Sequence, residues 1–253
     1  MVFQVIISLA VNHQRMNSKF FSSCGWSVKK LHSKEVIKNA LILISKIYDF
    51  QGDLKELDNH IVNLYRTNPE RAGEYYDKLN NSKGIMILFK DKIKFKSLLN
   101  LYNFHGHEIQ IKFTNFQCLV MLPNKSNENL GWHQDSKYFS KDLKTKYSGV
   151  IWTPFCTNNL KSKFNLDILE NSHISGGIKH KKNKSMFRKE VINEKKGRYF
   201  IDNEKKLNFY SKLSPSVNWG ESLIINSNLI HKSSNDFSEN IRFTAIWRYE
   251  IIY

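Results

Sequence analysis

The hydrophobic period of this chain changes near Glu108, and that change limits its possible folds more than any other feature. Before Glu108 the apolar residues recur at helical spacing, whereas after it they alternate with polar residues, as in half-buried strands. Helices followed by short strands are typical of α+β proteins rather than of alternating α/β folds. We therefore expect one domain, with a mostly helical region over residues 1–107 and a β region over residues 108–253.

Caps and apolar spacing place the helices of the first region. Ser33 can cap a first helix, and helical spacing returns over residues 54–65. Asn68 followed by Pro69 is typical of a cap and the first turn of a third helix. Residues 93–102 are a candidate for a fourth helix.

The strands of the second region are short and bounded by turn residues. They are predicted over residues 109–113, 116–122, 150–155 (broken at Pro154), 166–169, 217–219, 222–226 and 241–249, with one more strand near residue 133. Residues 179–206 are polar, lysine-rich and without period, so we interpret them as a long loop or insertion that covers substrate entry. Strands of this kind can close into a jelly roll, as in cupin-like proteins, with the helices covering the outside.

The net charge of +16 raises the possibility of a nucleic-acid partner. Lysine outnumbers arginine heavily, however, and lysine, asparagine and isoleucine are abundant together, which is typical of an AT-rich genome. No nucleic-acid motif accompanies the charge, so we expect no specific nucleic-acid partner. An anionic small-molecule substrate is the functional interpretation of the excess lysine, and a solvated surface is the alternative.

The cysteines favour a cytoplasmic protein. Cys24, Cys118 and Cys156 are odd in number and widely spaced, so they predict neither a disulfide framework nor a zinc site. The apolar run over residues 2–11 is too short to span a bilayer, and no membrane span is expected. Met16 is a second candidate for the translation start, and the sequence does not indicate an oligomeric state.

Residues 131–138, which read Gly-Trp-His-Gln-Asp-Ser-Lys-Tyr, contain the first candidate site. His133 and Asp135 are two residues apart, so on a strand their side chains face the same side. An imidazole and a carboxylate are two of the three ligands of a 2-His-1-carboxylate facial triad, which holds Fe(II) and leaves positions open for a co-substrate and O₂. His231, after an apolar strand-like run, is the best candidate for the third ligand. The competing pair His105 and His107 has no evident third partner, and we interpret it as ordinary surface.

Arg242 is the most informative residue of the last strand. The strand has one apolar face, and Arg242 lies on the other face together with Arg248. If the apolar face packs on the helices, Arg242 faces the interior, where a guanidinium group needs an anion. A dicarboxylate co-substrate would supply it, and an ion pair with a protein carboxylate is the alternative.

Several motifs in order give the chain a family resemblance. They are Trp132-His-Gln-Asp, Trp152-Thr-Pro-Phe, Leu166-Asp-Ile-Leu-Glu-Asn-Ser-His-Ile-Ser-Gly, Gly220-Glu, His231-Lys-Ser, Asn235, and Arg242 eleven positions after His231. Over residues 116–249 the chain resembles the phytanoyl-CoA dioxygenase family of Fe(II)/2-oxoglutarate-dependent oxygenases. One departure is Glu170-Asn171, where the family has Pro-Gly in a structural turn. Ser172 and His173 belong to this turn, and we interpret them as scaffold.

The resemblance implies a set of site residues. It implies a double-stranded β-helix that uses Fe(II), 2-oxoglutarate and O₂, with iron ligands His133, Asp135 and His231. It also implies co-substrate contacts from Arg242, which binds the distal carboxylate, and from Ser233 and Trp152. Gln117 is a further candidate to reach the co-substrate.

The resemblance leaves the reaction partly open. Because Asp135 supplies a carboxylate ligand, chloride has no vacant protein-ligand position, and we expect hydroxylation of a small molecule rather than halogenation. Desaturation, epimerisation and ring closure stay open, as does the substrate. The alternative from another class is a catalytically silent double-stranded β-helix that only binds a ligand.

Overall fold

Helices are the main elements among the described residues before Glu108. The structure is a computed structural model that describes residues 3–7, 21–102, 109–122, 131–139, 145–157, 163–183, 198–201, 204–234 and 241–252. Its helices are α1 (Lys34–Ile47), α2 (Leu57–Thr67), α3 (Pro69–Asn80), α4 (Lys83–Asp91) and α5 (Phe95–Leu99). Among these residues, no helix is both long and apolar enough to cross a membrane.

The predicted caps are confirmed. Ser33 Oγ accepts a hydrogen bond from the amide of Val36 at 3.3 Å and begins α1. Asn68 Oδ1 accepts from the amide of Arg71 at 3.1 Å, and Pro69 occupies the first turn of α3. These side chains satisfy amides that a helix leaves without an internal partner.

The prediction missed two elements of this region. Helix α4 begins at Ser82, which accepts from the amide of Ile85, but its continuous apolar run hides the helical period. Strand β2 (Trp26–Lys29) has only four residues and no alternation of buried and exposed side chains. Its partner in the sheet is more than 190 residues away in sequence, at Ser222–Asn226, so no local signal marks it.

The strands in the described part of the chain form two larger sheets and one small one. The remaining strands are β1 (Phe3–Ile7), β3 (Ile109–Met121), β4 (Thr145–Phe155), β5 (Lys163–Leu169), β6 (Lys181–Asn183), β7 (Arg198–Phe200), β8 (Lys212–Leu213), β9 (Ser216–Asn218), β10 (Ser222–Asn226), β11 (His231–Ser233) and β12 (Arg242–Ile252). The six-stranded sheet has the order β1-β3-β12-β4-β10-β2, and the second sheet has the order β11-β5-β8 with β9 also paired to β5.

The central strand β12 separates two parts of the core. Phe243, Ala245 and Trp247 face the helices and belong to the same buried cluster as the apolar face of α1. Ile246 lies on the opposite face and packs with Trp152 in a second cluster that includes residues of β5. The α+β prediction of a jelly roll covered by helices is therefore confirmed, and the interior between the sheets is the place where a site can form.

The structure differs from the sequence prediction at two places in the β region. Pro154 does not break β4, because β10 pairs with β4 only as far as Trp152 and leaves the later residues with β12 as their described neighbour. Proline is tolerated where one side of a strand makes no ladder bonds. Residues 179–206 are not a loop throughout, since β6 and β7 pair antiparallel within them. Residues 184–197 and 202–203 lie outside the described part, as do His105, His107 and Asn235.

Candidate metal centre

A short antiparallel bridge holds the two candidate histidines side by side. The amide of His133 donates to the carbonyl of His231 at 2.9 Å, and the amide of His231 donates back at 3.0 Å. His231 begins β11, which pairs with β5 through Ile168. The two imidazole rings have centroids 4.2 Å apart. His231 is held in the second sheet, and His133 is held by its backbone pairing with His231. The backbone alone therefore places the two histidines next to each other.

Asp135 joins this pair by a route different from the predicted one. The sequence predicted a strand through His133 and Asp135, but Asp135 begins a 3₁₀ turn, Asp135–Tyr138. Gln134 between them is extended, with φ −122° and ψ 135°. One extended residue is enough to turn its two neighbours to the same side, so the side chains meet although the strand is absent.

The three side chains form a compact buried group. Among the described residues, His133, Asp135 and His231 are the metal-ligand side chains that come together, and their donor atoms all lie within 4.8 Å of one another. Their exposed fractions are 6%, 3% and 4%. His231 Nε2 lies 3.3 Å from Asp135 Oδ2. The predicted triad residues are thus brought together.

Backbone carbonyls fix the tautomer of each imidazole. His133 Nδ1 donates to the carbonyl of Gly131 at 2.8 Å, and His231 Nδ1 donates to that of Leu229 at 2.9 Å. In a neutral imidazole the Nε2 atom then carries a lone pair. Burial, reinforced by nearby His231, lowers the pKa of His133 to about 3, so this ring is neutral at physiological pH.

Asp135 stays charged in this buried place. Burial opposes the charge, but the Arg248 guanidinium and a hydrogen bond with His231 outweigh it, and the pKa of Asp135 is held well below its usual range. Arg248 Nε and Nη2 donate to Asp135 Oδ1 at 2.9 and 2.7 Å. The second oxygen, Oδ2, is left facing the histidines.

This donor set fits a divalent transition metal. The imidazole nitrogens of His133 and His231 and a carboxylate oxygen of Asp135 lie within 4.8 Å of one another, as the ligands of a single metal ion do. Two neutral imidazoles and a carboxylate are the ligands of the facial triad that holds Fe(II). The hydrogen bonds from Nδ1 to carbonyls are those that orient metal-binding histidines.

Gln134 ties the loops that carry these ligands to each other. Its side-chain nitrogen donates to the carbonyls of Gly176 and Asn228 at 2.8 and 2.6 Å. Its side-chain oxygen accepts from the amide of Ile178 at 2.7 Å, and its own amide donates to His180 Nε2 at 2.9 Å. The residue is fully buried. Gln134 thus joins the His133 segment to the segment before His231 and to residues 176–180.

The turn that departs from the family pattern has a physical explanation. Asn171 adopts a left-handed conformation, with φ 59°, which asparagine tolerates better than most residues and which glycine adopts freely. Asparagine can therefore replace the glycine of the family turn. The next residue, Ser172, accepts from the amide of Ile230 at 2.9 Å, directly before His231.

The chain is similar to known proteins in its three-dimensional structure. No family model matches the chain, and no curated protein matches it either. The structure titled "non-heme monooxygenase; ThoJ apo" has a TM-score of 0.55 at 14% identity over 93% of this chain and 78% of that one. A nickel complex of ThoJ has a TM-score of 0.52 at 12% identity, with the same coverages. EvdO2 from Micromonospora carbonacea var. aurantiaca has a TM-score of 0.52 at 11% identity over 97% and 94%.

The chain shares the fold of these structures. The likeness concerns the fold, and membership of the phytanoyl-CoA dioxygenase family stays a prediction from the motifs.

Within this fold, the predicted co-substrate residues lie in two places. Arg242 lies on the interior face of β12, and its guanidinium is 5.4 Å from the centre of the Trp152 ring. Ser233 is half-buried at the end of β11, two residues after His231. Gln117 lies elsewhere, since its Oε1 accepts from Arg248 Nη1 at 3.0 Å. Arg242 and Trp152 are thus brought together, whereas Gln117 is brought to the metal centre.

The sequence analysis missed Arg248 as part of the centre. It considered a buried pair between an arginine and a protein carboxylate, but for Arg242 rather than for Arg248. Both residues lie on the same face of β12, so alternation alone could not choose between them. The missing information was the position of Asp135, which lies 113 residues before Arg248 in the sequence.

Proposed function

We propose that this protein is an Fe(II)/2-oxoglutarate-dependent oxygenase that hydroxylates a small molecule. The convergence of His133 Nε2, His231 Nε2 and Asp135 Oδ2 in a buried site carries the proposal. Bound Fe(II), with 2-oxoglutarate and O₂, would supply the oxidising chemistry that amino-acid side chains lack. His133, Asp135 and His231 would hold this metal from one side, which would leave its other positions free for 2-oxoglutarate and O₂.

The co-substrate pocket would be formed by Arg242, Trp152 and Ser233. Arg242 lies on the interior face of β12 with its guanidinium beside the Trp152 ring, and a guanidinium can bind a carboxylate through two hydrogen bonds. The two-residue spacing from His231 to Ser233 brings the hydroxyl near the metal ligand. Gln117 stays a candidate for a co-substrate contact, although its carbonyl group is engaged by Arg248.

The carboxylate of Asp135 supports hydroxylation over halogenation. It is buried, charged and turned toward the histidines, so it fills the position that a halide would need. A product labelled from ¹⁸O₂, formed in excess chloride, would support hydroxylation, and a chlorinated product would contradict it.

Residues 179–206 would cover substrate entry. Tyr199 of β7 packs edge-on against Tyr138 of the Asp135 turn, with ring centroids 5.5 Å apart. Lys179, Lys181 and Lys205 are exposed in the same segment and favour an anionic substrate. A cytoplasmic location stays part of the proposal.

Formation of succinate tests the proposed function. Protein purified without metal is supplied with Fe(II), 2-oxoglutarate and O₂, and succinate is measured with and without a panel of small molecules. We expect succinate that depends on both Fe(II) and 2-oxoglutarate and that rises with the true substrate. A protein that binds metal but forms no succinate under any of these conditions would instead be the silent binding module.

A further inference from the structure

Arg248 and Asp135 form a buried pair with an unequal use of the two carboxylate oxygens. Oδ1 accepts two hydrogen bonds from Arg248, at 2.9 Å from Nε and 2.7 Å from Nη2. Oδ2 accepts none from Arg248 and lies 3.3 Å from His231 Nε2. Both side chains are more than nine-tenths buried, at 8% and 4% exposure. The carboxylate therefore has one oxygen engaged by a cation and one turned to the metal centre.

The guanidinium of Arg248 is itself held from two further sides. Its Nη1 donates to Gln117 Oε1 at 3.0 Å. Its carbon lies 4.4 Å from the centre of the Tyr138 ring, which belongs to the same 3₁₀ turn as Asp135. All three guanidinium nitrogens thus have described partners, and a rotation of the group would break several contacts at once.

Arg248 lies next to a β-bulge in the sheet, and the bulge affects the direction of nearby side chains. On β12, Arg248 pairs with Asn115, while Tyr249 pairs with Phe113, so Thr114 is an extra residue on β3. The hydroxyl of Thr114 donates to the carbonyl of Arg248 at 3.4 Å. Bulges of this kind re-aim side chains next to functional sites. On its other side β12 pairs with β4, so the position of Arg248 is fixed by two neighbouring strands.

We propose that Arg248 is a positioning residue that makes Asp135 bind the metal through Oδ2 alone. This inference rests on the proposed function and deepens it. A carboxylate that bound the metal through both oxygens would occupy a second position at the metal, which 2-oxoglutarate or O₂ needs. Oδ1 cannot turn to the metal while it accepts two hydrogen bonds from Arg248. Arg248 thereby keeps that position open without touching the metal.

The same strand offers a matched control. Arg242 lies on the same face of β12, six residues before Arg248, and loses the same charge when it is replaced by methionine. In Arg248→Met, Asp135 should turn both oxygens to the metal or lose its orientation. In Arg242→Met, the Asp135 carboxylate keeps both hydrogen bonds. The two variants thus separate a general loss of charge from a loss of positioning.

Metal binding without co-substrate is the first measurement. Calorimetric titration with Ni(II) should show affinity about 10- to 100-fold weaker in Arg248→Met than in the wild type, because partners of metal ligands have effects of that size. Arg242→Met should bind Ni(II) within about two-fold of the wild type and lose affinity for 2-oxoglutarate instead. Unchanged Ni(II) binding in Arg248→Met would overturn the proposal, since it would show that Arg248 does not control how Asp135 binds the metal.

The second measurement reports on the carboxylate itself. Protein labelled with [4-¹³C]aspartate is measured by infrared difference spectroscopy, with Ni(II) minus without. Binding through one oxygen separates the two carboxylate stretches widely, whereas binding through both brings them together. We expect a wide separation in the wild type and in Arg242→Met, and a changed separation in Arg248→Met. Equal spectra in all three proteins would overturn the proposal.

Failure of the proposed function and failure of the positioning role give different results. A wild-type protein that binds no Ni(II) would refute the proposed function itself, whereas wild-type binding and turnover with no effect of Arg248→Met would refute only the positioning role. If Arg248→Met does not fold, Gln117→Leu decides, because it removes one contact of the guanidinium and keeps both charges. Weaker Ni(II) binding in Gln117→Leu supports the proposal, and wild-type affinity overturns it.

Discussion

The carboxylate of Asp135 is charged inside the protein because each of its oxygens has a partner. A buried charge without a partner is costly, and a buried pair is destabilised strongly when one partner is removed. Arg248 compensates one oxygen, and His231 lies against the other. The charge that a metal needs is thus already present and oriented in the folded chain.

His231→Ala should abolish tight metal binding and Fe(II)-dependent turnover. Removal of one imidazole leaves two ligands, and Nε2 of His133 loses its neighbour across the bridge. Metal affinity by calorimetry and succinate formation are the measurements. His173→Ala is the control, because His173 lies outside the triad and its Nε2 contacts the carbonyl of Ser22 instead. Full activity in His231→Ala would show that the third ligand is assigned wrongly.

Arg242→Met should weaken binding of 2-oxoglutarate while metal binding stays intact. Loss of a charge-assisted pair with a carboxylate costs about 2–5 kcal/mol, which corresponds to a roughly 30-fold or larger rise in the dissociation constant. Titration of the Ni(II)-loaded protein with 2-oxoglutarate measures it, and Arg66→Met on the exposed side of α2 is the control. If Arg248→Met lowers 2-oxoglutarate affinity while Arg242→Met does not, the clamp is Arg248 and the assignment is wrong.

At the scale of elements, the sequence predicted on which face of a strand a side chain lies, but not which distant residue the side chain contacts. Alternation along β12 correctly separated Phe243 and Trp247 from Arg242 and Arg248. The choice between the two arginines depended on the Asp135 turn, which no local pattern positions relative to β12. In the same way, β6 and β7 pair with each other, but their three-residue length gives too little alternation to detect.

Gln134→Leu should destabilise the protein and weaken metal binding together. The change removes three side-chain hydrogen bonds and leaves two buried carbonyls and one amide without these partners, at a cost of roughly 2–4 kcal/mol. Urea unfolding of the metal-free protein and Ni(II) titration are the measurements. The exposed Gln51→Leu is the control and should change neither. Wild-type stability in Gln134→Leu would mean that the loops carrying the two histidines do not depend on this cross-link.

At the scale of the whole molecule, the sequence predicted the layers and the order of the elements. The caps at Ser33 and Asn68 and the alternation after Glu108 are local signals, and they gave the capped helices and the long strands β3, β4 and β12. The place of β2 at the edge of the six-stranded sheet depends on a pairing with β10, which only the closed fold provides. Local sequence patterns therefore predicted individual helices and strands, whereas the contacts between distant elements depend on tertiary packing.

Two buried ionisable groups outside the metal centre have opposite effects on global stability. His32 is fully buried and packs edge-on against Phe89, and burial lowers its pKa from 6.5 to about 4. Asp58 in α2 is also buried, and its burial raises its pKa from 3.8 to about 6, against smaller opposing contributions from Thr157 and Ile241. Folding thus makes His32 harder to protonate and Asp58 easier to protonate.

The signs of these two shifts predict opposite pH profiles for two variants. Between pH 6.5 and 4 the unfolded chain protonates at His32 more readily than the folded protein does, so this residue lowers the free energy of unfolding as the pH falls, by roughly 3 kcal/mol in total. Between pH 6 and 3.8 the folded protein binds the proton at Asp58 more readily, so this residue raises the free energy of unfolding by a similar amount, roughly 3 kcal/mol.

His32→Leu should therefore gain stability relative to the wild type as the pH falls from about 7 to 4.5, whereas Asp58→Asn should lose it. In the wild type the two effects largely offset each other, which hides both of them in a single profile. Urea unfolding of the wild type, the two variants and the double variant at several pH values measures the difference. Because each difference is taken against the wild type at the same pH, titration at the metal centre cancels from it. Parallel profiles for His32→Leu and the wild type would show that the imidazole of His32 is protonated as readily in the folded protein as in the unfolded chain.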